Sequence, residues 1–148
     1  MMRVMVTRAL VLVHAGVAAL WLGSMAYSLF TVQPRLRAMV GDNPEHIEDA
    51  QRVLAHGNRW RVVALIAVLW ITGIALAVRG PTPAGPTAAK IVLLAAATAL
   101  FWWISWRAWP RRVFALPAEI PALARQFRAV ALAMFGLVGA AFVVSYLW

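Results

Sequence analysis

An all-α integral membrane protein, folded as a bundle of four transmembrane helices in a single domain, is what this sequence predicts. Three observations carry the prediction. Apolar residues make up 64% of the 148 and charged residues 13%, too little polar surface to cover a water-soluble globule. Four apolar stretches, about 9–32, 60–79, 89–108 and 122–148, approach or exceed the length that crosses a hydrocarbon core of about 30 Å. The basic residues flank those stretches instead of forming one continuous stripe. No water inside a bilayer satisfies backbone groups, so each stretch must be helical.

The first span sets the chemistry. Residues 9–34 hold no Asp, Glu, Lys or Arg, and their one group that titrates near neutral pH is His14. An ionisable residue inside a membrane is costly without a partner, which makes it a functional hypothesis. His14, Trp21, Ser24 or Met25, and Ser28 recur at helical spacing and share one face. The competing reading of His14 is a packing imidazole bonded to a carbonyl or a Ser/Thr hydroxyl across the bundle. Arg3, Arg8 and the small residues around Ser24-Met25-Ala26 also resemble a cleavable signal peptide. The apolar run continues past that point to Val32, which favours a retained span. Pro34 predicts a break after it.

Residues 43–56 predict a short polar helix. Asn43 suits its N-cap and Pro44 its first position. Glu45, Glu48 and Asp49 sit near its positive end, Arg52 and His56 near its negative end, and Gly57 can stop it. The alternative is one long helix running through Gly57 into the second span. That span carries Trp70, Thr72 and Gly73, and the Gly/Pro-rich run 80–86 is a tight turn. The third span opens with Lys90 and closes with Trp102, Trp103, Trp106 and Trp109, which read as an interfacial belt, before Pro110. The fourth starts near Pro121, and its Gly136 and Gly139 permit close helix contact. No internal sequence repeat is visible.

Charge sets both the orientation and the excluded functions. The formal charge is +9. Arg3, Arg8, Arg79 and Lys90 lie at the end of the bundle that holds the termini; the other ten basic residues lie at the end that holds the 1–2 and 3–4 loops. The positive-inside rule then puts both termini outside the plasma (inner) membrane and the two loops in the cytoplasm. Anionic lipid head groups, not nucleic acid, are the expected counter-charges. No cysteine is present, which excludes thiolate metal sites, Cys nucleophiles and c-type haem attachment. All five acids fall at the loop end, so no triad can assemble in the membrane, and no Gly-rich phosphate loop exists.

Two metal chemistries remain. His14 and His56 lie about a membrane apart and cannot be the axial pair of one haem. A haem would take His14 with Met, Lys, water or a second copy of the chain. Lys90, at the start of the third span, shares the level of His14, about 6 residues into the first. Copper is the alternative: Met1, Met2, Met5 and Met25 supply soft thioethers near His14 in sequence. His46 and His56 read as solvated, helix-end residues.

The first span holds His14, Trp21, Gly23, Tyr27 and Pro34 in the order H-x6-W-x-G-x3-Y-x6-P. That run resembles the CopD-like membrane domain of the copper-resistance protein D family, and its relative, the HemJ-type protoporphyrinogen oxidase. Thr72-Gly73 resembles the family's Thr-Gly, and Lys90 the Lys that opens its third helix. The resemblance covers most of the first span and isolated positions in the next two. It implies copper uptake or tolerance, or haem b bound through His14 and Lys90 with Trp21 nearby. The expected function is therefore a CopD-like protein handling copper or haem b through His14, with Met25 as a further metal donor. Two alternatives stand beside it: an accessory subunit of a respiratory or photosynthetic membrane complex, and a porphyrinogen oxidase of the HemJ type. The expected partners are the lipid bilayer and either a homodimer or a larger membrane complex.

Overall fold

Every described element is a helix, as the bilayer argument requires. The computed structural model describes residues 1–41, 44–55, 57–79 and 83–147, without the side chains of residues 44, 45 and 55. The helices are α1 Met2–Val40, α2 Pro44–Ala55, α3 Asn58–Arg79, α4 Ala84–Val113 and α5 Ile120–Leu147. All but α2 are long and apolar enough to cross a membrane. They run beyond the apolar stretches because flanking polar residues continue the same helical ladder. α1, at 39 residues, is about 58 Å long at about 1.5 Å per residue and projects well past a hydrocarbon core.

The break expected at Pro34 does not occur. Ser28–Val32 form a π-turn, and the α-helix resumes over Gln33–Val40. Proline lacks an N–H and crowds the carbonyl four residues back, and the wider turn shifts the register just before it. α1 ends instead at Gly41, whose φ of 77° favours glycine. α4 uses the same device. Its π-turn spans Ile104–Ala108, Trp109 follows, and the helix continues through Pro110 to Val113.

This shared device exposes an internal repeat that the sequence comparison missed. Lys90 stands as many residues before Pro110 as His14 stands before Pro34, and an arginine follows each proline. In that register Trp21 matches Ala97, which are 1% and 0% exposed, and Phe30 matches Trp106. Phe30 meets Phe135 of α5 edge-on at 5.7 Å, and Trp106 meets Trp60 of α3 edge-on at 6.5 Å. The two halves share geometry with almost no shared side chains, so composition alone could not reveal them.

Neighbouring spans run antiparallel. α1 packs on α3 and α5, and α4 packs on α5. His14 faces Thr72 of α3, while Leu22 and Phe30 face Gly139 and Phe135 of α5. Larger side chains close the ring between α3 and α4: Trp70 Nε1 donates to Thr98 Oγ1 at 3.2 Å. One core joins all four spans through Trp21, Ile66, Leu69, Ala97, Phe101, Met134 and Val138. Lipid tails are as apolar as this core, so close packing holds the spans together more than exclusion of water does.

At the loop end, Gly57 decides between the two readings of the connection. Its φ of 73° breaks the helix, so α2 and α3 are separate. The Asn43 cap and the His56 charge expected there lie outside the described residues. α5 begins one residue before Pro121. Ahead of it Glu119 Oε2 accepts the Leu116 N–H at 3.0 Å.

Candidate functional site

His14 is half-buried on α1, against the C-terminal half of α3. Its Nδ1 lies 2.7 Å from Thr72 Oγ1. The Thr72 hydroxyl lies 2.6 Å from the Val68 carbonyl and 3.3 Å from that of Leu69. A hydroxyl has a single hydrogen, and the shorter contact to Val68 takes it. With that hydrogen on Val68, Oγ1 is an acceptor for the imidazole in the tautomer that carries its proton at Nδ1. In that tautomer Nε2 keeps a lone pair, and it has no hydrogen-bond partner among the described residues.

The next residue along α3 makes room for the ring. A Cβ on Gly73 would sit 3.3 Å from His14 Cε1, tighter than ordinary contact. Thr72 and Gly73 therefore act as a pair: one holds the ring through its Nδ1, the other lets the helices approach. Thr72 itself is buried, at 6% exposure.

Lys90 is half-buried. It does not open its helix as expected. α4 starts at Ala84, so Lys90 sits about 9 Å inside at about 1.5 Å per residue. His14 likewise lies deeper in its helix than expected, because α1 starts at Met2. In the repeat register the two correspond, because each occupies the same position in its half.

Trp21 lies two turns beyond His14, in the centre of the core between Leu69 and Ala97. Met25 packs against the same core from further along α1. The two residues share an unbroken α-helix, so His14 and Met25 stand about 16 Å apart along its axis at about 1.5 Å per residue. One copper ion cannot bridge that span, and the expected His14–Met25 pair is corrected on this ground. Among the described residues no group of three or more His, Cys, Asp or Glu is placed to hold a metal ion. His46 is exposed on α2 at the loop end.

The loop end holds a second polar centre that the sequence reading missed. Glu48 of α2 and Arg112 of α4 are 2% and 5% exposed. Arg112 Nε donates to Glu48 Oε1 and Oε2 at 3.0 and 2.8 Å, and its Nη2 lies 2.7 Å from Oε2. Arg112 also donates to Gln51, and its guanidinium lies 4.7 Å from the Phe127 ring of α5. Arg52 Nη2 donates to the Val113 carbonyl at 3.1 Å. The group clamps α2 across the ends of α4 and α5. Glu48 and Arg112 are 64 residues apart, with no spacing motif to join them.

The expected tryptophan belt is in part a packed cluster. Trp102 and Trp106 stack at 4.1 Å and 14°. Arg59 covers Trp106 at 5.1 Å and donates to the Ser105 carbonyl at 2.6 Å, a carbonyl inside the α4 π-turn. Compared with known proteins, the chain matches no family model, no curated protein and no solved structure.

Proposed function

We propose that this chain is a CopD-like membrane protein that binds haem b through His14, whose Nε2 would ligate the iron. One observation carries the reading: a membrane-embedded imidazole whose Nδ1 lies 2.7 Å from Thr72 Oγ1, so that a proton at Nδ1 leaves Nε2 free to coordinate. Ligating histidines commonly donate their other N–H in this way, which fixes the ring and raises its basicity. Haem is favoured over copper because a single imidazole suffices for haem. A copper ion needs further donors, and Met25 is out of reach.

The residues that would hold the group have distinct tasks. His14 ligates, Thr72 orients the ring, and Gly73 leaves space for it. Lys90 supplies a cation for a ligand carboxylate. Trp21 packs the apolar floor. A bound haem b would supply one-electron redox chemistry within the membrane. The imidazole is only half-buried, so a second copy of the chain or a partner subunit would complete the site.

The test is a titration of ferric haem b into the purified full chain, followed by absorbance. Thr72→Val removes the acceptor and is expected to weaken binding about 10- to 100-fold, while Thr72→Ser binds like wild type. Equal affinity in Thr72→Val would show that the hydrogen bond does not prepare the ligand, and the reading would fall.

We further propose that both termini lie outside and that the 1–2 and 3–4 loops are cytoplasmic. The surplus of arginine at the loop end supports this. Arg112, buried with Glu48, adds little to that signal, but its loop-end neighbours still outnumber the charges at the other end. The chain has no cysteine, so single-thiol variants report cleanly. In sealed right-side-out membranes, an impermeant maleimide should label Ala84→Cys at once. Met39→Cys and Ala118→Cys should react only after permeabilisation. The reverse pattern would invert the topology.

A further inference from the structure

Against α4, toward the loop end, lies an open cleft of about 740 Å³. Small residues make it: Ala95 and Ala99 leave the α4 surface low, and Trp70 of α3 walls one side. Trp102 and Trp103 line it further along and are 59% and 38% exposed. Arg107 and Arg111 stand at its mouth, with Gln126 of α5 beside them. From Ala95 to Arg111 the cleft follows about 24 Å of helix at about 1.5 Å per residue. One leaflet with its head groups is about 20–22 Å thick.

The two arginines differ from their neighbours. Arg112 is held by Glu48 and Gln51, and Arg59 by Ser105 and the Trp106 ring. Arg107 and Arg111 are exposed, and among the described residues neither is paired with a carboxylate. Two cations at the head of an aromatic, apolar trough of one-leaflet length match one kind of molecule. We propose that the cleft binds an anionic phospholipid, its phosphodiester on Arg107 and Arg111 and an acyl chain along Trp102 and Trp103 toward Ala95. The cleft shares no lining residue with the His14 site, so this does not rest on the haem reading.

Tryptophan fluorescence tests it directly, because four of the eight tryptophans line the cleft. The full chain is reconstituted in phosphatidylcholine vesicles containing brominated phosphatidylglycerol or brominated phosphatidylcholine. Wild type should prefer the brominated phosphatidylglycerol by about 25-fold, about fivefold for each arginine. The preference should fall to near unity in Arg107→Gln/Arg111→Gln and persist in Arg107→Lys/Arg111→Lys, which keeps the charge. Equal quenching of wild type by both lipids would overturn the proposal, as would a preference retained by the Gln variant. Relief of quenching by millimolar glycerol 3-phosphate would mean a soluble-anion site and would overturn it as well.

Discussion

Arg112→Met is expected to destabilise the protein by about 3 kcal/mol, the lower end of the range for breaking a buried ion pair. The loss comes from what stays behind. Glu48, 2% exposed, would keep a carboxylate inside the packed end of the bundle without its main partner. Arg52 limits the damage, because its Nε already lies 3.7 Å from Glu48 Oε1 and makes no hydrogen bond where it is. A small rotation would let it approach the orphaned carboxylate. Methionine keeps an apolar side chain of similar length beside Phe127 but loses the guanidinium over its ring. The double variant Glu48→Leu/Arg112→Met should recover most of the loss, since replacing a whole buried pair by apolar groups is often neutral. Thermal unfolding in detergent, followed by tryptophan fluorescence, reads both. A single variant as stable as wild type would mean that the pair does not hold α2 in place.

His14→Ala is expected to abolish haem binding while leaving the bundle intact. Thr72 keeps its donor bond to Val68 after the ring is gone, so no buried donor is stranded. The lost interhelical hydrogen bond is worth about 0.6 kcal/mol by the average for such bonds in membranes. Added imidazole has a route into the vacated space, because the ring is only half-buried, and should partly restore haem binding. A His14→Ala protein that binds haem like wild type would place the ligand elsewhere. A variant that fails to insert would make His14 a folding residue.

The four spans were legible because lipid imposes a simple rule: long apolar runs must be helical. Helix ends were less so. Pro34 and Pro110 read as breaks by the ordinary rule, yet a π-turn before each carries the helix on to Val40 and Val113. Nothing in the residue types of Ser28–Val32 announces that turn. His14 stood out as the one group in a charge-free run that titrates near neutral pH, and Thr72 and Gly73 stood out through a family resemblance. What joined them was geometric: a 2.7 Å hydrogen bond and a missing Cβ between two antiparallel helices. From the sequence Glu48 is only a charge near the positive end of its helix, because the pairing that buries it depends on how α2 folds back over α4. The match of Lys90 to His14 in the repeat was hidden for a related reason, as the halves share backbone devices and not side chains.

The most direct test of the central claim is the absorbance spectrum of wild type and His14→Ala, purified in detergent, with haem and copper measured on the same samples. The account predicts a Soret band and bound haem in wild type, both missing from His14→Ala, and no stoichiometric copper in either. A colourless wild type that still carries no haem after reconstitution, or equal haem in the two proteins, would contradict it.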